Sequence, residues 1–313
     1  MRRRPLGSTG LSVSPVCLGT SPLGNIGLYG GEVTVEEAVS TVLRVLEGPV
    51  TFIDTSNNYG DAERRIGLAL REAGGLPDGF VLATKVDPVR GSGDFSGARA
   101  RTSVQESLER LGVDHLQLVY VHDPEIIDFD EATGPGGVVE AVVEMQQEGL
   151  IEHIGVAGGP IDLMQRFVSL GVFQAVISHN RYTLVDQSAS PLMDQAAAAG
   201  VAMVNGAPYG GGMLVKGPVA FPRYCYRDAG QATVDRVLAM ERACADHDVP
   251  LAAAALQFSL REPRIASTIV GMSRPERVEQ TLALAATPIP DELWVVLEEL
   301  AAPGRTGIDH ERD

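Results

Sequence analysis

Cysteine is scarce in this chain of 313 residues, and the three cysteines, Cys17, Cys225 and Cys244, lie far apart. An odd number with no paired spacing argues against a disulfide framework and against a structural zinc site. We therefore predict no bound metal. Thiols that are few and unpaired suit a reducing compartment, so we expect the protein to be cytoplasmic.

Long apolar runs are also lacking, since the longest, around residues 251–258, is far too short to cross a bilayer. The basic start Met1-Arg2-Arg3-Arg4 is followed by Pro5-Leu6-Gly7-Ser8 and not by an apolar core, so we expect no secretory signal. A net charge of −16 disfavours nucleic acid and membrane surfaces as partners. The expected partner is a small molecule, bound by a monomer or a small homo-oligomer.

Hydrophobic residues make up 44% of the chain, and their β-branched runs alternate with amphipathic segments, which is typical of strand–helix units around a parallel sheet. Eight strands are predicted, at residues 15–19, 50–54, 80–85, 117–122, 153–157, 175–178, 202–205 and 267–271. Eight such units close into a (β/α)8 TIM barrel, for which about 250 residues are typical. We predict that residues 1–313 form one α/β barrel domain.

The segments outside these units predict additions to the barrel. Residues 1–14 predict a β-hairpin across the barrel floor that turns at Ser8-Thr9-Gly10, and residues 290–301 predict an extra C-terminal helix before a polar tail. Thr34 with Glu37, and Ser273 with Glu276, have the spacing of capping boxes at helix starts. Residues 206–230 show no clear periodicity and predict a lid or binding loop. A glycine-rich stretch at residues 24–31 follows the first strand.

Four polar residues mark the ends of predicted strands. Asp54, Lys85 and His122 each close one strand, and Tyr59 lies five residues after Asp54. Because the carboxyl ends of barrel strands form the catalytic mouth, we expect these side chains to lie together. The other histidines are assigned no functional role: His115, His153, His179, His247 and His310.

An acid, a phenol, an ammonium and an imidazole together make a proton-transfer site. A Lys85 charge about 4 Å from the Tyr59 phenol, at an effective dielectric of about 20, contributes up to about 4 kcal/mol, or about three pKa units. Asp54 positions Lys85 and offsets part of that effect. Tyr59 is then the general acid and base, and His122 binds the oxygen whose charge changes.

Such a site moves a proton but has nowhere to put an electron pair, so a hydride carrier is expected. The chain has no G-x-G-x-x-G fingerprint. Barrels bind phosphates at the loops after strands seven and eight, here residues 206–212 and Gly271-Met272-Ser273-Arg274. Arg274 and Arg277 suit a pyrophosphate or an adenosine 2′-phosphate.

Other interpretations remain open on the residues alone. Lys85 could form a Schiff base with a carbonyl substrate, although a nearby Asp54 would keep it charged. A metal-dependent sugar isomerase is disfavoured because Lys85 would repel the cation. The chain could also be a nicotinamide-binding sensor or partner subunit without turnover. Each polar residue taken singly could have only a structural role.

Several motifs resemble the aldo-keto reductases: Phe52-Ile53-Asp54-Thr55 with Tyr59-Gly60, Ala83-Thr84-Lys85-Val86, Ser107-Leu108-Glu109-Arg110-Leu111-Gly112 before Val121-His122, and the opening from Leu6 to Ser14. The resemblance implies an NAD(P)-dependent (β/α)8 oxidoreductase with Tyr59 as proton donor, Asp54 and Lys85 tuning it, and His122 orienting the substrate. Within this family we expect an aldose 1-dehydrogenase, and the alternative is a general aldehyde or ketone reductase of the same fold.

Three further stretches resemble the sugar-oxidising D-threo-aldose (L-fucose and galactose type) 1-dehydrogenase branch: Arg181-Tyr182-Thr183-Leu184, Tyr224-Cys225-Tyr226, and residues 251–258. The cofactor contacts that we expect are Gly19, Thr20, Asp54, Ala157, Gly206, Pro208, Tyr209, Gly210, Gly212, Gly271, Ser273, Arg274, Arg277 and Gln280.

The chain departs from the family pattern at the expected cofactor site. Ala157-Gly158 replaces Ser-Asn, the usual glutamine position is near Val176, and Gly206 replaces the tyrosine that stacks on nicotinamide, with Tyr209 as a substitute. Gly271 stands where a lysine often grips the 2′-phosphate. The cofactor is therefore NAD or NADP, with a slight preference for NAD.

Overall fold

The computed structural model describes residues 1–27 and 31–301, and its centre is a closed barrel of eight strands in the order β12-β3-β4-β5-β6-β7-β8-β9. Neighbouring barrel strands pair in parallel. The barrel strands are β3 (Val16–Gly19), β4 (Phe52–Asp54), β5 (Val81–Val86), β6 (Leu116–His122), β7 (Ile151–Gly158), β8 (Ala175–His179), β9 (Ala202–Gly206) and β12 (Ile265–Gly271).

Helices surround the barrel, and short hairpins lie outside it. The helices are α1 (Val35–Leu46), α2 (Ala62–Ala73), α3 (Gly97–Leu111), α4 (Phe129–Thr133), α5 (Val138–Gln147), α6 (Ile161–Val168), α7 (Ser190–Ala199), α8 (Met213–Lys216), α9 (Gln231–Ala245), α10 (Leu251–Leu260), α11 (Pro275–Ala286) and α12 (Asp291–Leu300). The 3₁₀ helices are Ser21–Gly24, Pro124–Ile126 and Gly210–Gly212. The hairpin strands are β1 (Arg4–Pro5), β2 (Ser12–Val13), β10 (Arg223–Tyr224) and β11 (Arg227–Asp228).

The predicted barrel is confirmed, and all eight predicted strands are present with bounds that differ by no more than two residues. The N-terminal hairpin and the C-terminal helix α12 are also confirmed. No helix of the described residues is long and apolar enough to cross a membrane. Residues 28–30 of the glycine-rich stretch lie outside the described residues, as does the predicted tail from residue 302 onward with His310.

Alternation along the strands divides the core into two layers. One set of buried side chains fills the barrel interior, and among them Phe52, Ala83 and Tyr120 stand two residues before Asp54, Lys85 and His122. A larger apolar layer lies between the barrel and its helices. Because side chains at i and i+2 share a face, the interior packing aims the three polar residues inward at the carboxyl ends of their strands.

The N-terminal hairpin closes the opposite end of the barrel. Leu6 and Val13 are fully buried with the interior side chains, and the Arg4 Nη1 group donates to the Ile265 carbonyl at 2.7 Å. Because Ile265 begins β12, the hairpin covers the amino ends of the strands and leaves the carboxyl ends as the open mouth.

One of the two predicted capping boxes is wrong. Thr34 and Glu37 cap α1 reciprocally, as expected. At α11 the N-cap is Arg274, and no side chain caps the helix. Pro275 occupies the first helical position, for which its fixed φ is suited, so Ser273 lies one residue too early to cap.

The segment at residues 206–230, which the sequence predicts to be a lid or binding loop, has short regular elements, and its binding role stays a prediction. The segment contains a 3₁₀ turn, helix α8 and the β10–β11 hairpin. The buried Tyr224 hydroxyl donates to the Asn180 carbonyl at 2.9 Å, which anchors the hairpin to the chain just after β8. Elements of two to four residues are too short to show helical or strand periodicity in the sequence, so the pattern does not predict them.

A close backbone contact fixes the turn that carries Tyr59. A Cβ built on Gly24 would lie 1.7 Å from the Tyr59 carbonyl oxygen, and one built on Gly60 would lie 2.1 Å from the Gly24 carbonyl oxygen. Both obstacles are backbone atoms, which cannot rotate away. Only glycine therefore permits the 3₁₀ turn at Ser21–Gly24 to pack on this turn.

We expect Gly24→Ala to lower the free energy of unfolding by about 1–3 kcal/mol, the usual cost of overpacking. Urea denaturation measures this change. Gly230→Ala is the control, because a Cβ there meets nothing within 4 Å. Equal denaturation midpoints for the two variants would contradict the proposed close contact.

Candidate active site

The four predicted polar residues lie together at the mouth of the barrel. Lys85 Nζ is 4.7 Å from the centroid of the Tyr59 ring. The rings of Tyr59 and His122 meet edge to face, with centroids 5.7 Å apart and an interplanar angle of 79°. The geometry thus places a phenol beside both an ammonium and an imidazole, which is the arrangement needed for proton transfer at one substrate atom.

Lys85 and Asp54 form a buried ion pair on neighbouring strands. The Lys85 ammonium donates to Asp54 Oδ1 at 2.9 Å, to Asp54 Oδ2 at 2.8 Å and to the Thr55 carbonyl at 2.6 Å. Burial raises the pKa of Asp54, and the Lys85 charge opposes that rise. Three acceptors match the three N–H groups of an ammonium and leave no lone pair for attack on a carbonyl, so the geometry disfavours a Schiff base.

Lys85 combines hydrogen bonds to Asp54 and Thr55 with a position over the Tyr59 ring. All three of its N–H groups point toward Asp54 and Thr55, while the charge itself lies near the phenol ring. A cation at this distance favours the phenolate. The predicted lowering of the pKa of Tyr59 stays a prediction, as do the catalytic roles of the four residues.

Asp87 is a member of the site that the sequence analysis missed. It is buried, and its Oδ1 accepts a hydrogen bond from His122 Nδ1 at 2.6 Å. Its Oδ2 accepts from the Ser56 hydroxyl at 2.5 Å and from the Asn58 amide at 3.1 Å. Because a carboxylate only accepts, Nδ1 carries the proton, and Nε2 is the nitrogen available to a substrate.

The two charges stabilise one another. Burial alone would raise the pKa of Asp87, but the His122 charge and the hydrogen bonds from His122 and Ser56 hold it below its usual value. Burial alone would lower the pKa of His122, but Asp87 and Asp123 raise it above its usual value. His122 therefore remains a cation to higher pH than a free imidazole would.

Strand alternation was the signal that could have found Asp87. Lys85 was assigned to the mouth, and Asp87 stands two residues later on the same face of the chain. The apolar run predicts a strand that ends at Lys85, whereas β5 extends to Val86. The next side chain that faces inward after Lys85 is therefore that of Asp87.

A polar rim continues beyond His122. Asp123, Glu125 and His179 each place one side-chain oxygen or nitrogen atom within 4.8 Å of the other two. Asp123 Oδ2 is 3.9 Å from His122 Nε2. Glu125 is fixed by the Gly159 amide, which donates to its Oε1 at 3.1 Å. His179, to which no role was assigned, thus lies in the mouth.

Most of the expected cofactor residues occupy the other side of the mouth. They end or follow β3, β9 and β12, which are neighbours because the barrel closes between β12 and β3. Gly19, Gly206 and Gly271 are the last residues of these three strands. Thr20 follows β3, the residues up to Gly212 follow β9, and Ser273, Arg274, Arg277 and Gln280 follow β12. Ala157 lies on the opposite side, in β7.

This side of the mouth fits the phosphates of a dinucleotide. Helix α11 begins without a side-chain cap, so its first-turn amides and its positive dipole end suit an anion. Arg274 stands at that start, and its side chain is 59% exposed. A Cβ on Gly206 would lie 3.1 Å from the His179 Cβ, so glycine keeps the mouth open between β8 and β9.

Two residues considered for the nicotinamide site contact the layer between the barrel and its helices. Val176 is buried in the layer between barrel and helices, while β8 ends with His179 on the opposite, inward face, so the position near Val176 does not face the mouth. Tyr209 also packs against that outer layer, and burial raises its pKa. Its ring is therefore already held by protein contacts.

The three stretches that resemble the sugar-oxidising branch contact one another outside the barrel. Thr183 Oγ1 lies 2.8 Å from the Tyr224 hydroxyl. The Tyr182 ring stacks on Phe258 with centroids 5.1 Å apart. Thr183 therefore supports the β10–β11 hairpin after β9, and Tyr182 packs on α10.

The chain is similar to several known proteins. The Aldo/keto reductase family profile matches residues 15–302. An L-galactose dehydrogenase of Arabidopsis thaliana is 31% identical over 90% of this chain and 86% of its own length. A D-threo-aldose 1-dehydrogenase of a Pseudomonas species is 29% identical over 93% and 95%. An aldo-keto reductase of Bacillus halodurans in its holo form shares the fold, with a TM-score of 0.81 and 24% identity over 99% and 100% of the two chains.

Fold, site and relatives together define an oxidoreductase built on a (β/α)8 barrel and dependent on NAD or NADP. The chain belongs to the Aldo/keto reductase family.

We expect Lys85→Met to lower the free energy of unfolding by about 3–5 kcal/mol, because it leaves a buried carboxylate without its partner. Urea denaturation checks this. The double variant Lys85→Met with Asp54→Asn should cost less than the sum of the two single variants, because they disrupt the same interaction. Strict additivity would show that the pair is not coupled.

Proposed function

We propose that the protein is an aldose 1-dehydrogenase that oxidises a sugar hemiacetal at its anomeric carbon and also works in reverse. The observation that carries the proposal is the Tyr59 ring placed against both the Lys85 ammonium and the His122 imidazole. A nicotinamide cofactor, when bound, accepts or supplies the hydride. The protein's own residues move the proton.

In the oxidising direction, ionised Tyr59 takes the proton of the anomeric hydroxyl while hydride leaves the same carbon. Loss of both turns a hemiacetal into a lactone. His122 Nε2 donates to the reacting oxygen and stabilises its developing negative charge. In the reducing direction, hydride adds to the carbonyl carbon and Tyr59 gives its proton to the carbonyl oxygen, so that a lactone becomes a hemiacetal, and an aldehyde or ketone becomes an alcohol.

The rim of Asp123, Glu125 and His179 supports a sugar as the substrate. Carboxylates accept hydrogen bonds from hydroxyl groups, and imidazole both donates and accepts them. Two acids at the entrance also disfavour an anionic substrate. The names of two relatives, L-galactose dehydrogenase and D-threo-aldose 1-dehydrogenase, point to the same substrate class.

Wild-type protein incubated with cofactor and a panel of aldoses should change the absorbance of the reduced nicotinamide. Tyr59→Phe should reduce kcat by about 10²–10⁴-fold, the contribution of general acid–base catalysis, while cofactor binding measured by calorimetry is retained. Turnover of simple aldehydes but of no aldose would favour a general aldehyde reductase. No turnover on any substrate despite bound cofactor would favour a sensor.

The charges near α11 favour NAD over NADP. Arg274 Nε lies 3.4 Å from Glu37 Oε1, and Arg277 donates to Gln280 at 2.9 Å. Glu37 is ionised, since hydrogen bonds with Thr34 and the charge of Arg274 lower its pKa. A 2′-phosphate approaching Arg274 would meet this carboxylate, whereas NAD has no such phosphate.

Glu37→Gln should tighten NADP binding about fivefold and leave NAD binding nearly unchanged, because one exposed charge interaction contributes up to about 1 kcal/mol. Glutamine preserves the capping box. Isothermal titration of both cofactors measures the effect, with Glu36→Gln, its neighbour in α1, as the control. Equal changes in both variants would argue against Glu37 as a cofactor selector.

A further inference from the structure

Asp87 joins two parts of the site that come from separate segments. Its Oδ1 binds His122 at the end of β6, and its Oδ2 binds Ser56 and the Asn58 amide. Ser56 and Asn58 belong to the turn that carries Tyr59. The proton-transferring phenol and the substrate-facing imidazole are therefore tied to the same carboxylate.

The backbone of Asp87 is itself held by helix α3. The Asp87 amide donates to Ser103 Oγ at 3.2 Å, and Arg99 Nε donates to the Asp87 carbonyl at 2.9 Å. Both partners belong to α3. Only 2% of the residue is exposed, so water does not compete for its oxygens, and its two hydrogen-bonding directions are fixed relative to the barrel.

We propose that Asp87 is a positioning residue that holds His122 and the Tyr59 turn in mutual register and keeps the His122 imidazole protonated with Nε2 toward the substrate. The proposal rests on the proposed function and adds to it a residue that does not touch the substrate. Catalytic residues must be held within a fraction of an ångström, and the partners that orient them provide that constraint.

The charge on His122 depends on several neighbours. Asp87 and Asp123 carry negative charge near its two nitrogens, and Lys85 carries positive charge on the adjacent strand. Tyr59 contacts its ring, and Asp54 lies behind Lys85. Asp87 is the neighbour hydrogen-bonded to Nδ1, so its removal should change both the protonation and the orientation of the ring.

The central test is Asp87→Asn, which preserves shape and removes charge. NMR titration of the cofactor-free protein should show the His122 midpoint at lower pH than in wild type, with the signal assigned by its loss in His122→Gln. In the reducing direction, which needs both Tyr59 and His122 protonated, kcat should fall by roughly tenfold to hundredfold. The alkaline limb of kcat/KM should move to lower pH, and KM should change less than kcat.

Two further variants separate positioning from a general loss of stability. Ser56→Ala removes one of the two hydrogen bonds between Asp87 and the Tyr59 turn, and the 3.3 Å contact between Ser56 Oγ and His122 Nδ1, but keeps the bond between Asp87 and His122. It should lower kcat and shift the His122 midpoint less than Asp87→Asn does. Asp61→Asn removes an exposed carboxylate just beyond that turn and should match wild type in both measurements. A purely structural Asp87 would lower the thermal stability without moving the pH profile.

The proposal is overturned if Asp87→Asn keeps both the wild-type His122 midpoint and the wild-type pH profile. If that variant does not fold, an NMR measurement on the wild-type protein tests the proposal instead. A low-field Nδ1–H resonance that disappears in His122→Gln supports the proposal, and its absence overturns it. Failure to turn over any substrate would refute the proposed function alone, because the titration requires neither cofactor nor substrate.

Discussion

Lys85 and Asp54 form an ion pair in which neither side chain has more than 3% of its surface exposed. Burying two charges is unfavourable unless each remaining hydrogen-bonding direction is satisfied, and the Thr55 carbonyl takes the third N–H group of Lys85. The pair therefore fixes a positive charge that cannot act as a nucleophile beside the Tyr59 ring. This charge lies near both Tyr59 and His122, so the proton transfer proposed for these two residues depends on it.

The mouth of the barrel has two chemically different sides. Carboxylates and imidazoles follow β6 and β8, whereas glycines and arginines follow β9 and β12. Closure of the barrel pairs Gly271 with Gly19, so residues from opposite ends of the chain contribute to one surface. The residues proposed to bind substrate and most of those proposed to bind cofactor thus follow different strands of one mouth. The net charge of −16 does not reveal this division, because it sums over the whole surface.

Local signals predicted the elements whose formation depends on neighbouring residues in sequence. Apolar β-branched runs gave the strands, and Thr34 with Glu37 gave the start of α1. The same capping pattern failed at Ser273, because Pro275 set the helix start one residue later. The segment from residue 206 to residue 230 shows no periodicity, because its short elements are held by contacts such as that between Tyr224 and Asn180, which join distant parts of the chain.

The sequence by itself determined that Asp54, Lys85 and His122 share a rim, because parallel strands in a closed barrel end at the same face. Tertiary structure decided which groups touch within that rim. Asp87 is 31 residues from Ser56 and 35 from His122, and its two oxygens are divided between them by the packing of β5 against β6 and the turn. Hydrogen bonds have a range of about 3 Å, so no pattern along the chain specifies them until the strands and helices have fixed every side chain in place.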